Sequence, residues 1–258
     1  MITYLQGKTP LNVKRRVPMT LLERGFDLDD SCKLYLPFFR QKSSSAYIYD
    51  QSGNGNHATI TGAVPTTLAN PPIGWYCDGT NDLFTITDFL CTGNSGQEIT
   101  VLQWIYPHLF AADDRTICHL DIGTNQRAWR LGIMDANGKY AVGISDDGTA
   151  AAGHQKNYTS SVNMTASKFN LIGFTFNAGT LSLYLNGSVD TNPTKTTDDA
   201  ITTIHNSTAN LTIGCSLNNG VGGNFSNITT GEAWIFCEVL TPLRIRNMYE
   251  ITRRKYGV

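Results

Sequence analysis

The chain has 258 residues, of which 41% are hydrophobic and only 16% are charged, and it contains 24 glycines. This composition favours many short strands joined by tight turns over long surface helices, and the length suits one large β domain. No stretch approaches the roughly 18 to 20 apolar residues of a membrane span, and residues 1–16 lack the apolar run of a secretion signal, so we expect a protein made in a cytosol.

The first 30 residues show no sustained hydrophobic period and carry a basic cluster between Pro10 and Pro18. The sequence therefore predicts an extended basic arm over residues 1–30, followed by a β domain over residues 31–258. An arm that packs back along its own domain is an equally open alternative.

Both ends of the chain are basic, although the net charge is only −1. Such ends can form a face that docks on an acidic protein partner. A solvated or self-docked tail is the alternative. No aromatic platform lies between the cations, so we expect no nucleic-acid partner. The candidate docking residues are Lys14, Arg15, Arg16, Arg253, Arg254 and Lys255.

Strand patterns begin near Cys32 and continue through residues 34–39 and 47–49. Residues 50–57 then form a loop that is dense in glycine and short polar side chains. In the strand at residues 99–107, Trp104 is expected to anchor the core. Residues 150–165 are too polar and irregular to assign, and they are expected to form a surface loop.

Residues 169–187 predict a β-hairpin, because apolar residues alternate along two short runs joined by a loop containing Gly179. The alternating positions are Ile172, Phe174, Phe176, Leu181, Leu183 and Leu185.

One helix is predicted near the end of the chain. Thr241 is a suitable cap, Pro242 suits the first helical position, and a basic run precedes Gly257. About a dozen predicted strands and one short helix indicate an all-β fold, a two-sheet antiparallel jelly-roll sandwich.

The six cysteines are scattered along the chain and contain no C-x-x-C pair, so buried free thiols are expected.

Several short blocks occur in an order that resembles the laminin G-like branch of the concanavalin A-like jelly rolls, over residues 31–258. The blocks are residues 50–56, 78–82, the Trp104 strand, 129–133, 179–187, 211–214 and 231–241. The resemblance implies two curved antiparallel sheets and, in many relatives, a bound calcium ion. The candidate calcium ligands here are Asp50, Asn54 and Asp82.

One departure from the pattern weakens the calcium prediction, because Gly231 stands where many relatives have an aspartate. The alternative for the loop is a network of turns in which Asp50 and Asn54 bond to nearby backbone.

Hydrolysis of glycosidic bonds needs a facing pair of carboxylates. The chain has five glutamates, none of them two residues from another: Glu23, Glu98, Glu232, Glu238 and Glu250. The histidines are isolated, and no G-x-S-x-G motif occurs. We therefore expect a protein that is not an enzyme. Apart from the calcium ion discussed above, we assign it no cofactor.

Two functions remain open. We favour a structural or decorating protein of a virus particle, most readily a bacteriophage, that binds other virion proteins or itself as a homo-oligomer. The alternative is a carbohydrate-binding or adhesion module, with Tyr47, Tyr49 and Tyr158 as glycan candidates. A glycoside hydrolase is the least favoured.

Overall fold

The computed structural model describes four stretches of the chain: residues 28–42, 44–67, 73–91 and 98–258. The predicted arm, with Lys14, Arg15 and Arg16, therefore lies outside the described residues, apart from its last three positions.

The described residues form nineteen strands. In chain order these are β1 (Cys32–Leu36), β2 (Tyr47–Ile48), β3 (Ala58–Thr61), β4 (Val64–Pro65), β5 (Trp75–Asp78), β6 (Leu83–Ile86), β7 (Glu98–Pro107), β8 (Asp114–Asp121), β9 (Gln126–Ile133), β10 (Tyr140–Gly148), β11 (Gln155–Thr159), β12 (Asn170–Asn177), β13 (Thr180–Leu185), β14 (Ser188–Val189), β15 (Thr194–Asp198), β16 (Leu211–Ile213), β17 (Ser216–Asn218), β18 (Val221–Gly223) and β19 (Asn227–Phe236).

The strands form two sheets. Sheet A has eight strands in the order β14-β13-β12-β7-β19-β5-β4, and β1 also pairs with β19. Sheet B has eleven strands in the order β15-β11-β10-β9-β8-β16-β6-β3-β2, with β17 and β18 attached beside β8. Nearly all pairings are antiparallel. The predicted all-β, two-sheet jelly roll is confirmed.

The predicted hairpin is formed by β12 and β13. Phe174 lies opposite Leu183, and Phe176 lies opposite Leu181. The connecting turn places Gly179 at a φ of 103°, a conformation that glycine adopts without steric cost. Phe174 packs edge-on against Trp129 of sheet B, with ring centroids 5.7 Å apart. The hairpin thus supplies one wall of the main core between the sheets.

Helix α1 (Pro242–Thr252) covers the other face of sheet A. It begins as predicted, because the Thr241 side chain accepts a hydrogen bond from the backbone N–H of Arg244 at 3.2 Å. Among the described residues, 3-10 turns also occur at Phe38–Arg40 and Arg253–Tyr256. No helix among the described residues has the length and apolar character needed to cross a bilayer.

Trp104 is fully buried, as expected, but it lies in a second core beneath the helix. Its ring stacks on Tyr256 with centroids 4.5 Å apart, and its indole N–H donates to Thr252 Oγ1 at 2.9 Å. Sheet A is therefore covered on both faces.

Two sequence-based expectations are wrong. Residues 150–165 contain strand β11, which is polar but paired on both sides. Cys91 and Cys237 form a disulfide, with Cα atoms 5.5 Å apart, so not all six cysteines are free. The two cysteines are separated by 146 positions in the sequence, so their spacing could not predict the pairing. The cysteines with free thiols are Cys32, Cys77, Cys118 and Cys215, all buried.

Candidate functional site

The loop that follows β2 is organised around the carboxylate of Asp50. Oδ1 accepts from the backbone N–H groups of Tyr35 and Ser52, both at 2.9 Å. Oδ2 accepts from the Ser52 hydroxyl at 2.8 Å and the Asn56 N–H at 3.0 Å. Four donors thus converge on one buried side chain, and they fix the path of the loop.

Two asparagines attach this loop to β1. The Asn54 side chain donates to the Cys32 carbonyl at 2.9 Å, and the Asn56 side chain donates to the Lys33 carbonyl at 2.7 Å. The loop is therefore held in place along its length by hydrogen bonds to a strand of sheet A.

The donor set around Asp50 does not fit a calcium ion. Calcium takes six to eight oxygen ligands, whereas the oxygens of Asp50 face N–H and O–H hydrogens. Asp82 bonds to a different group, since its Oδ2 accepts from the Asp78 N–H at 3.0 Å. The structure contains the network of turns that was the alternative to a calcium site, with Asp50 and Asn54 bonded to nearby backbone. This geometry gives no support to the prediction that Asp50, Asn54 and Asp82 bind calcium.

Three rings lie together beside the ordered loop. Tyr47 and Tyr49 are two residues apart on an edge strand and its extension, so their side chains share one face. Their ring centroids are 6.3 Å apart, and Tyr49 lies 5.2 Å from the ring of His57. We call Tyr47, Tyr49 and His57 the aromatic patch.

The aromatic patch is open to solvent. Tyr47 is 44% exposed and Tyr49 is 46% exposed. The backbone N–H of Asp50 donates to Nδ1 of His57 at 3.1 Å, which places the hydrogen of a neutral ring on Nε2. The patch thus offers ring faces, two phenol hydroxyls and a ring N–H. Sequence reasoning found both tyrosines and missed His57, which ends the polar loop.

Tyr158 does not belong to this site. It is only 4% exposed, its ring is part of the main core, and its hydroxyl donates to Asp198. The expectation that Tyr158 offers a ring face to a sugar is wrong, because β11 turns this residue inward and presents Asn157 on the opposite face.

The basic C-terminal residues are largely engaged within the chain. Arg253 pairs with Glu250 at 2.6 Å, and Lys255 pairs with buried Glu232 at 2.7 Å. Arg254 is exposed. Two of the three predicted docking residues in the described part of the chain thus have partners within the chain. This arrangement favours the alternative in which the basic tail docks on its own domain.

The structure also contains a cluster of charged side chains that the sequence did not predict. His154 Nδ1 lies 2.9 Å from Asp146 Oδ1 and 3.5 Å from Asp147 Oδ2. The bond to Asp146 raises the pKa of His154. The Asp147 carboxylate also accepts hydrogen bonds from the Ser145 hydroxyl and the Thr149 N–H, which stabilise the turn at residues 145–149. The three side chains form a half-buried ion-pair cluster.

The two packed sheets define a lectin-type jelly roll. Residues 78–246, more than half of the chain, match the family described as the concanavalin A-like lectin/glucanases superfamily, through its laminin G branch. The chain belongs to this superfamily. No curated protein sequence matches it.

Solved structures share the fold at low identity. The receptor-binding domain of the botulinum neurotoxin C/D mosaic serotype gives a TM-score of 0.60 at 17% identity, over 86% of this chain and 51% of that chain. The botulinum neurotoxin serotype D ligand-binding domain in complex with N-acetylneuraminic acid gives 0.59 at 18%, over 86% and 51%.

A mutant of Trypanosoma rangeli sialidase displaying trans-sialidase activity gives a TM-score of 0.60 at 13% identity, over 88% of this chain and 34% of that chain. The chain spans about half the length of the toxin domains and a third of the sialidase. Identities of this size establish a common fold alone.

Proposed function

We propose that this protein is a glycan-binding module that holds sugars at the aromatic patch without transforming them. The observation that carries the proposal is the pair of half-exposed rings, Tyr47 and Tyr49, beside a loop ordered by Asp50. A tyrosine ring combines an apolar face with a polar hydroxyl, and a sugar presents C–H and O–H groups in the same way.

The order of the loop supports binding. A loop already fixed by hydrogen bonds loses little conformational entropy when a ligand binds. The entropic cost of binding is therefore small, and it offsets less of the free energy gained from the contacts. Among the structures that share the fold, the toxin domains are described by receptor binding and by a complex with N-acetylneuraminic acid. These descriptions favour a binding module over the other roles considered.

The absence of enzymatic activity is part of the proposal. Three of the glutamates are already ion-paired: Glu232 with Lys255, Glu238 with Arg244, and Glu250 with Arg246 and Arg253. These three carboxylates thus already serve as partners of cations within the fold. Pure protein is expected to release no reducing sugar from mixed polysaccharides, and sustained hydrolysis would contradict this part.

A glycan array tests the binding site. The wild-type protein is expected to bind a subset of glycans, and Tyr47→Ala with Tyr49→Ala is expected to weaken that binding at least about tenfold. Tyr49→Phe keeps the ring and is expected to retain most of the binding. Leu243→Ala, which removes an exposed apolar side chain on the helix, is the matched control. Unchanged binding by the double variant would reject the site.

The role in a virus particle and the homo-oligomer stay predictions from the sequence. Electron microscopy of a native assembly that contains the chain would test both.

A further inference from the structure

A cavity of about 220 Å³ opens on the face of sheet B that points away from the core. It lies over strands β8 to β11, four strands or more from the aromatic patch on β2 in the sheet order. Pockets for drug-sized ligands measure about 300 to 1,000 Å³, so this one suits a single small ring. We call it the arginine pocket, after Arg115, Arg127 and Arg130 in its wall.

Strand register places Arg130 beside a glycine and an asparagine of the neighbouring strands. Arg130 lies opposite Gly143, and Gly143 lies opposite Asn157. A Cβ atom on Gly143 would meet Arg130 Nε at 2.6 Å, so the missing side chain lets the arginine lie across the strand. Arg130 Nη2 then donates to Asn157 Oδ1 at 3.2 Å. The guanidinium is thereby held in one position.

The positive charge of the arginine pocket is only partly neutralised. Arg115 and Arg130 share one carboxylate, since Asp113 Oδ1 contacts Arg115 Nη2 and lies 3.6 Å from Arg130 Nη1. The Asp113 side chain is itself half exposed. None of the residues that line the cavity is acidic. Burial, followed by the charge of Arg115, lowers the pKa of Arg130.

Arg115 has an unmet hydrogen bond. The residue is only 7% exposed, and its Nε is buried without a partner. The Nε atom itself is covered, but a cation that is buried and incompletely satisfied attracts a nearby anion more strongly than a cation in solvent does. A guanidinium presents paired N–H groups that match the two oxygens of a carboxylate.

The remainder of the wall combines apolar and polar groups. Leu120, Ile122 and Ala150 provide apolar surface, and Gln155 and Asn157 provide amides. A sugar ring has both kinds of surface. We propose that the arginine pocket binds the carboxylate of an acidic monosaccharide, with Arg115 and Arg130 holding the two oxygens. This second site does not depend on the aromatic patch.

Calorimetric titration of the full chain with matched sugars tests the proposal. The probes are glucuronate, galacturonate and N-acetylneuraminate at about 10 mM, with glucose and galactose as neutral counterparts. At least one acid is expected to bind, and its affinity should exceed that of the neutral sugar at least about tenfold. Binding by none of the acids, or equal binding of the neutral sugar, would overturn the proposal.

Three variants locate the binding. Arg130→Gln is expected to abolish it, and Gly143→Ala is expected to weaken it at unchanged charge by displacing the arginine. Asp113→Asn removes the competing carboxylate and is expected to raise the affinity several-fold. Arg254→Gln is the control for charge alone. No gain with Asp113→Asn, together with full binding by Arg130→Gln, would place the ligand elsewhere and reject the site.

Two further experiments test whether the binding measured by calorimetry is specific for a carboxylate and whether it occurs in the arginine pocket. Inorganic sulfate that competes as well as the acids would show a general anion site and overturn the choice of a carboxylate. The acid titration is repeated in the double variant Tyr47→Ala with Tyr49→Ala, which lacks the aromatic patch. Acid binding that remains in this variant belongs to the arginine pocket, so failure of the aromatic patch and failure of the arginine pocket are distinguishable. Thermal unfolding checks that each variant is folded.

Discussion

The ammonium group of Lys255 lies 2.7 Å from Oε1 of Glu232, a glutamate without exposed surface. The Tyr35 hydroxyl donates to the same oxygen at 2.7 Å, and the Tyr256 hydroxyl accepts from the Glu232 N–H at 2.8 Å. The last turn of the chain is thereby attached to the middle of β19, where the register shifts.

Removing the cation should therefore destabilise the fold. Lys255→Ala leaves a buried carboxylate without its ion pair, and breaking such a pair costs about 3 kcal/mol. The adjacent Arg254→Ala removes an exposed cation and is expected to change the free energy of unfolding by less than about 0.5 kcal/mol. Urea unfolding of the two variants makes the comparison, and equal stabilities would contradict it.

Position 231 has no room for a side chain. A Cβ atom there would lie 2.7 Å from the Tyr256 hydroxyl oxygen and 2.8 Å from Trp104 Cβ. Gly231→Ala is expected to lower stability by about 1 to 3 kcal/mol through this overlap.

Gly223→Ala is the control for the Gly231 variant, because a Cβ atom at Gly223 has nothing within 4 Å. Its melting temperature should stay close to that of the wild type. An unchanged melting temperature for Gly231→Ala would contradict the prediction, because it would show that Tyr256 and Trp104 can move aside without a loss of stability.

Stability should fall as the pH rises across the titration of Asp114. Burial raises the pKa of this carboxyl to about 6. The folded state thus binds the proton more tightly than the unfolded state between about pH 4 and pH 6, and the stabilisation is lost as the pH rises through that window.

Asp114→Asn should remove this slope. Relative to wild type, the variant is expected to gain about 1 to 2 kcal/mol in stability between pH 4 and pH 7, less than the full pKa shift implies, because solvent screens part of the effect. Other titrating groups are common to both proteins and cancel in the difference. Parallel stability curves from denaturant titrations would contradict the raised pKa.

The loop at Asp50 is expected to need its carboxylate and no metal. Asp50→Ala removes the acceptor for four donors and should cost at least about 3 kcal/mol, since hydrogen bonds to charged groups contribute about 1.5 to 3 kcal/mol each and only some of the freed donors can bond to water instead. Asp30→Ala, at an exposed acid, is the control. Chelation should leave the melting temperature of the wild type unchanged, and a drop on adding EDTA would restore the calcium hypothesis.

The sequence predicted elements whose signals are local. Alternation in β12 and β13 and the Thr241–Pro242 start of the helix depend on neighbouring residues, and both are confirmed. Trp104 illustrates the limit, because alternation assigns a residue to a face but does not tell which layer covers that face. The helix that buries Trp104 lies more than 130 residues later in the chain.

Sites assembled across strands escaped prediction for the same reason. Arg115 and Arg130 become neighbours only through the register of β8 and β9, which contains two irregularities. Strands β11 and β15 carry few apolar residues, and they are held by pairing and by the Lys156–Asp198 ion pair at 2.6 Å. Polar strands of this kind lack the hydrophobic period that identifies a strand.

The disulfide has a mechanical consequence. Cys91 follows a strand of sheet B, and Cys237 follows directly the last strand of sheet A, so the covalent bond joins the two layers. When the molecule is pulled by its ends, the segment between these two cysteines, which are 146 positions apart, stays closed as a ring. Reduction of the bond would let that segment extend by roughly 500 Å under load, so the bridge limits how far the domain stretches when it is under tension.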